Sequence, residues 1–193
     1  MTKPLLALLA WLGAQEAKPD PEAPGEYRVR FETTKGDIVV RVVREWAPKG
    51  ADRFHALVKA GAYDDVRFYR VLPKFIAQWG YSGDPKVAAK WRDAPIQDDP
   101  VKKKNVRGAL SFAKGGPDSR TVNVFINLKD NPSLDKQGFA PFAEVVEGMD
   151  VADRLHSGYG NSPQQPRIIE QGNAYLDKNF EKLDRIRKAT ILE

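Results

Sequence analysis

Short runs of alternating apolar residues, each cut off by a turn, recur along this chain and point to a β-rich fold. Tyr27, Val29 and Phe31 alternate with Arg28, Arg30 and Glu32, the period of a strand with one dry face. Lys35-Gly36 reads as a turn, and residues 38–44 as the partner strand of a hairpin. Further strands are expected near residues 67–71, 75–78, 108–113, 122–127, 142–146 and 185–192, separated by loops rich in Gly, Pro, Asp and Asn. Helical spacing is rarer. Pro48 suits the first turn of a helix, with Ala51, Phe54, Leu57 and Val58 on one face and Gly61 at its end. Asp150 is placed to cap a short helix through Leu155. Ile169, Leu176, Phe180 and Leu183 share one helical face. Many strands and only two or three helices imply a mainly β fold built as a closed barrel.

The chain has 193 residues, the size of one domain with some decoration. Roughly 70% of the unfolded surface can be buried at that length, so a full core is available. The formal net charge is +5, which permits loose attraction to anionic surfaces, but no long basic run supports a dedicated nucleic-acid site. Lys102-Lys103-Lys104, the densest basic cluster, follows Asp98-Asp99 and reads as a solvated loop. With no cysteine, disulfides, thiolate metal sites and cysteine nucleophiles are excluded. At the N-terminus, Lys3 precedes an apolar stretch, Pro4 to Leu12, and then Gly13-Ala14-Gln15. That order describes a secretory signal over residues 1–14, and the stretch is too short to span a bilayer. Export to the periplasm or beyond is the expectation, and a cytoplasmic location if the leader is no signal. Residues 15–26 form a proline-rich polar linker, and one domain is expected over residues 27–193.

Chemistry concentrates between Phe68 and Asp84, where the sequence reads Phe-Tyr-Arg-Val-Leu-Pro-Lys-Phe-Ile-Ala-Gln-Trp-Gly-Tyr-Ser-Gly-Asp. It sets Arg70, Phe75, Ile76 and Gln78 close together on two short strands. A cation beside an apolar pocket, with no acid, base or nucleophile nearby, suits a substrate that is held and twisted, not cut. Other chemistries lack their residues. His55 and His156 have no partner spacing for a metal. Ser111 lacks the Gly-x-Ser-x-Gly elbow. Gly115-Gly116 lacks the Lys-Ser/Thr of a phosphate loop. Asp64-Asp65 and Asp98-Asp99 lack the calcium-loop pattern and read as turn residues.

The same run resembles the signature of the cyclophilins, the peptidyl-prolyl cis-trans isomerases, close to Phe-His-Arg-Val-Ile-x-x-Phe-Met-x-Gln-Gly-Gly-Asp. The resemblance extends along most of the chain. Trp46-Ala-Pro48 with Phe54, Leu57, Gly61 and Tyr63 is similar to the segment before it. Gly108-Ala-Leu-Ser-Phe-Ala-Lys-Gly-Gly-Pro117, Asn123-Val-Phe-Ile126, Leu134-Asp135, Phe142 and Val145-Val-Glu-Gly-Met149 follow in the family's order. The family implies an eight-stranded antiparallel barrel capped by two helices, with the groove on its outer face. Here an extra helix is expected near residues 169–183. The implied reaction is rotation about X-Pro bonds of unfolded or flexible polypeptides, without metal or cofactor, by a monomer that neither spans membranes nor binds nucleic acid.

The resemblance also assigns roles. Arg70 would donate to the proline nitrogen and Gln78 would orient it. Phe75, Ile76, Phe125, Leu134 and Phe139 would grip the proline ring. Asn123 would bond a substrate carbonyl, and the Lys114 main chain would pair with the peptide. Several positions depart from the pattern. Asn123 is one methylene shorter than the family's glutamine, Phe139 replaces a histidine, Trp79 replaces a glycine, and Ser133 replaces a tryptophan that often holds cyclosporin. Weak cyclosporin binding is therefore expected. Asn123 and Phe139 also admit an alternative: a proline-peptide-binding or chaperone module that turns its ligand over poorly.

Overall fold

The computed structural model describes residues 19–192. The leader and residues 15–18 of the linker lie outside them. The rest of the linker packs against the domain. Ala23 is buried, its N–H donates to Asp52 at 2.9 Å, and Asp20 pairs with buried Arg53 at 2.7 Å.

Nine strands form one curled antiparallel sheet. They are β1 (Glu26–Thr33), β2 (Gly36–Val43), β3 (Val66–Arg67), β4 (Arg70–Leu72), β5 (Ile76–Trp79), β6 (Ala109–Phe112), β7 (Val124–Asn127), β8 (Pro141–Glu147) and β9 (Arg185–Leu192). Their order is β3-β9-β1-β2-β8-β6-β7-β5-β4. Nine stand where eight were expected because the strand expected over residues 67–71 is split. Val66 and Arg67 pair with β9, whereas Arg70 to Leu72 pair with β5. The two edges of the sheet are thus joined by Phe68-Tyr69. No ladder closes between β3 and β4 among the described residues.

The hairpin of β1 and β2 holds the register that alternation demands. Val29 faces Val40, Phe31 faces Ile38, and all four are buried. Helix α1 (Pro48–Lys59) buries Ala51, Phe54, Leu57 and Val58 as its spacing predicts. Its N-terminus is capped from afar: Asp99 accepts the N–H groups of Lys49 and Gly50 at 3.1 and 2.9 Å. Asp99 also pairs with buried Arg120 at 3.0 Å. Asp99 is therefore a buried cap and not a turn residue. Phe31, Phe68 and Trp79 meet edge to face inside the sheet, with centroids 5.3 and 5.4 Å from the indole. That packing accounts for tryptophan where the family pattern has glycine.

The helices are more numerous than expected: α2 (Pro85–Arg92), α3 (Pro132–Lys136), α4 (Met149–Asp153), α5 (Gln165–Gln171) and α6 (Asn173–Asn179) join α1. Two expectations are corrected. The cap of α4 is Gly148, in a left-handed conformation, while Asp150 sits in the first turn and pairs with Arg154. The single helix over residues 169–183 is two short helices broken at Gly172, whose φ is +58°. A Cβ there would lie 2.0 Å from the carbonyl oxygen of Gly83, so only glycine lets the chain pass. No described helix is long and apolar enough to cross a membrane.

Candidate active site

Strand alternation sorts residues 70–79 and 124–127 onto two faces. Val71, Ala77, Trp79, Val124 and Ile126 enter the main core, whereas Ile76 and Phe125 join Leu134 in a separate apolar cluster outside the sheet. Register then sets a row across four strands: Arg70 opposite Gln78, Gln78 opposite Phe125, and Phe125 opposite Ser111. Phe75, Ala113 and Phe139 pack around this second cluster, with the Phe139 ring edge-on to Phe125 at 5.8 Å.

All nine residues singled out in the sequence line one cavity of about 530 Å³: Arg70, Phe75, Ile76, Gln78, Lys114, Asn123, Phe125, Leu134 and Phe139. Its volume suits a short peptide segment. The Arg70 guanidinium lies 5.9 Å from the centre of the Phe75 ring. Its Nη1 donates to Gln78 Oε1 at 3.0 Å and its Nε to Asn161 Oδ1 at 2.5 Å. The arginine is therefore clamped from two sides, its second partner supplied by the loop before α5.

The relay continues beyond Gln78. Gln78 Nε2 donates to the Tyr69 hydroxyl at 2.6 Å, and that hydroxyl donates to Asn123 Oδ1 at 3.2 Å. Tyr81, which lines the same cavity, donates to Gln165 on α5 at 3.0 Å. Burial pushes the Tyr69 phenol well above its usual range, so it stays a proton-bearing link. Burial also raises Tyr81, an effect the Asn123 side chain partly offsets. Sequence spacing did not single out Tyr69, Tyr81, Asn161 or Gln165. Tyr69 adjoins Arg70, but an aromatic in a strand reads first as packing.

The apolar wall is held by buried amides that the sequence also left unmarked. Asn131 donates to the Phe75 carbonyl at 3.0 Å and to Asn127 at 2.8 Å. Asn105 donates to Asp135 and to the Phe139 carbonyl, both at 2.8 Å. Ser111, no nucleophile, donates to Asn105 at 2.8 Å. The loops bearing Phe75, Leu134 and Phe139 are thereby fastened to β6 and β7. Lys114 turns its ammonium to Asp98 at 2.7 Å. For Asp98, burial alone would raise the carboxyl, but the bonds from Lys114 and from its neighbours hold it below its usual range. Gly115 and Gly116 close a turn on the Ser119 hydroxyl at 3.1 and 3.0 Å. No group of three or more metal-ligating side chains gathers among the described residues.

Comparison with known proteins agrees with this geometry. The family profile described as cyclophilin type peptidyl-prolyl cis-trans isomerase/CLD matches residues 28–173. A peptidyl-prolyl cis-trans isomerase of Acinetobacter baylyi is 35% identical over 151 residues, covering 72% of this chain and 80% of that protein. Peptidyl-prolyl cis-trans isomerase B of Escherichia coli is 36% identical over 158 residues, covering 74% of this chain and 96% of the relative. A crystal structure of a cyclophilin type peptidyl-prolyl cis-trans isomerase from Cryptosporidium parvum superposes with a TM-score of 0.66 at 22% identity, over 87% of this chain and 98% of the other.

Proposed function

The chain belongs to the cyclophilin-type peptidyl-prolyl cis-trans isomerases, and on that premise we propose that Arg70 is the group that stabilises the twisted X-Pro bond. The reaction is rotation about the peptide bond before proline in a polypeptide. Unaided, that rotation crosses about 18–20 kcal/mol of lost amide resonance and takes tens to hundreds of seconds. As conjugation is lost, the proline nitrogen becomes pyramidal and gains a lone pair. A guanidinium donating to that lone pair favours the twisted state over either planar one, which is the condition for catalysis.

The observation that carries this reading is the clamped Arg70 beside the hollow of Phe75, Ile76, Phe125, Leu134 and Phe139. Guanidinium has five N–H donors. Two of Arg70's are taken by Gln78 and Asn161, and the others serve the substrate. A donor fixed in advance spends no free energy on reorienting during the reaction, and one such donor contributes about 2.7–4 kcal/mol. A rate gain of ~10⁵ requires about 7 kcal/mol in all. Anchoring of the flanking chain by Asn123 and the Lys114 main chain supplies the remainder.

A coupled-protease assay on an Ala-Pro peptide tests the role. Arg70→Ala is expected to lower kcat/KM by about 10²–10³-fold with an unchanged circular dichroism spectrum. Ordinary turnover in the folded variant would remove Arg70 from the mechanism. The alternative, a binder that turns over poorly, rests on the short Asn123 and on Phe139. It predicts peptide binding with slow turnover already in the unaltered chain.

The reading extends to features that follow from family and sequence. The curled sheet is taken as a barrel whose ring is completed through Phe68-Tyr69, and residues 27–193 as one catalytic domain working as a monomer. Residues 1–14 are assigned as an export signal, checked by sequencing the N-terminus of the mature protein. Ser133, exposed on α3, presents no indole to cyclosporin, so inhibition at low nanomolar drug would contradict the assignment of weak binding.

A further inference from the structure

The hollow continues past Arg70. A second cavity, of about 680 Å³, lies on the other side of that residue, and Arg70, Tyr81 and Gln165 line both. Its far wall is built by the segment inserted between α4 and β9, through Pro163, Pro166 and Ile169. A space of that volume is about 9 Å across, room for about two or three residues of extended chain at ~3.4 Å each.

The inserted segment is fixed to the body of the protein. Asn161 accepts from Arg70 at 2.5 Å and Gln165 accepts from Tyr81 at 3.0 Å. The backbone N–H of Gln164 donates to the Tyr175 hydroxyl at 3.2 Å, and that of Asn173 to the Gly83 carbonyl at 3.0 Å. Buried Ile168 anchors the segment beneath, in a cluster with Tyr69, Tyr175 and Leu176. Its neighbour Ile169 stays half-exposed on the cavity wall. A wall held this way is formed before any ligand arrives, which lowers the ordering cost of binding.

We propose that this second cavity is a substrate subsite that takes an aliphatic or aromatic side chain flanking the proline, and that Ile169 sets its specificity. The inference rests on the isomerase reading, because its occupant is the chain that continues from the proline pocket. Pro163, Pro166, Ile169 and the Tyr81 ring offer apolar contact. Among the described residues no carboxylate lines the space, and the one cation there is Arg70. A lysine side chain in this subsite therefore meets no anionic partner and one like charge.

The test uses the full chain and peptides with a constant Ala-Pro core. Glycine, leucine, phenylalanine or lysine is placed at each flanking position in turn. On one flank, leucine and phenylalanine are expected to raise kcat/KM over glycine by about three- to tenfold, mainly through KM, with lysine no better than glycine. Ile169→Ser brings those ratios to about one. Ile169→Asp turns the preference towards lysine, a gain of function that a poorly folded variant cannot mimic. Fluorescence titration of the same peptides reads binding apart from turnover. Turnover without side-chain preference on either flank, or a preference unaltered in both variants, overturns the subsite alone. A leucine-over-glycine preference in binding without turnover supports the subsite and overturns the isomerase reading instead.

Discussion

Tyr69 occupies the place of the histidine in the family pattern, and its hydroxyl joins Gln78 to Asn123. The bond fixes two amides at once. The Gln78 oxygen is left for Arg70, and the Asn123 oxygen is engaged, so Asn123 meets a substrate carbonyl through its N–H group. A shorter amide held still can do the work of a longer one that must be ordered on binding. Tyr69→Phe would leave a buried amide N–H and a buried amide oxygen without a partner, at about 1–3 kcal/mol. The expected outcome is a loss of about tenfold in kcat/KM, carried by kcat and KM together, with a smaller loss in thermal stability. Steady-state kinetics of the variant beside a melting curve separates the two. Retention of full activity would show that the relay does not position the site. Arg70 and Gln78 were legible from sequence because their spacing on adjoining strands is local. The relay was not, because Asn123 reaches Tyr69 only once β7 has paired beside β5.

Among the elements, the loops that carry the pocket depend on buried amides more than on their own propensities. Asn131 ties the Phe75 carbonyl to β7 through Asn127. Asn131→Ala leaves the Asn127 oxygen unpaired and the Phe75 carbonyl with only the Leu128 N–H, so a destabilisation of about 1–2 kcal/mol is expected. KM should rise as Phe75 and Leu134 loosen; denaturant titration and peptide kinetics measure the two effects. A variant with unchanged denaturation midpoint would mean water replaces the amide at no cost. At the other end of the sheet, Asp99→Ala would uncap α1 and strip Arg120 of a buried partner. Breaking a buried pair by removing one member costs about 3–5 kcal/mol, seen as a fall in the thermal midpoint. Helix α2 illustrates a readable signal left unread. Asp84 caps it by accepting from Lys86 at 2.8 Å, with Pro85 in the first turn, the ordinary start of a helix. The break at Gly172 differs, because it is imposed by the approach of the Gly83 carbonyl, a contact between segments far apart in the chain.

For the molecule as a whole, the site implies a particular response to pH. The described residues lining the first cavity include no histidine and no carboxylate. Turnover is therefore expected to be flat between about pH 6 and 9, and a bell-shaped profile in the coupled assay would bring in a titrating group that the mechanism lacks. Stability behaves otherwise at the extremes. Burial raises the Tyr63 and Tyr69 phenols well above the unfolded value of 10.0. The stability linked to keeping them neutral is complete below about pH 10 and is lost as pH climbs towards their folded values. At the acid end, the lowered Asp98 carboxyl contributes above its unfolded value of 3.8, and that contribution disappears as pH falls through its folded value. Denaturation midpoints followed across pH are expected to hold level between about pH 7 and 10, to ease slightly below the unfolded histidine value of 6.5, because burial lowers His55, and to drop at the two extremes.

The amino-acid sequence alone determined the strands that alternate, the face of α1, and the cast of the pocket. Each of these depends on residues near one another in the chain or on a run long enough to carry a family's pattern. What tertiary structure decided is who touches whom across distance. It split one expected strand between two edges of the sheet, made Asp99 the cap of a helix 50 residues away, and laid Asn161 against Arg70 from 91 residues away. Periodicity reports which side of an element is dry, but hydrogen bonds between elements exist only after the sheet has curled, so no local pattern encodes them.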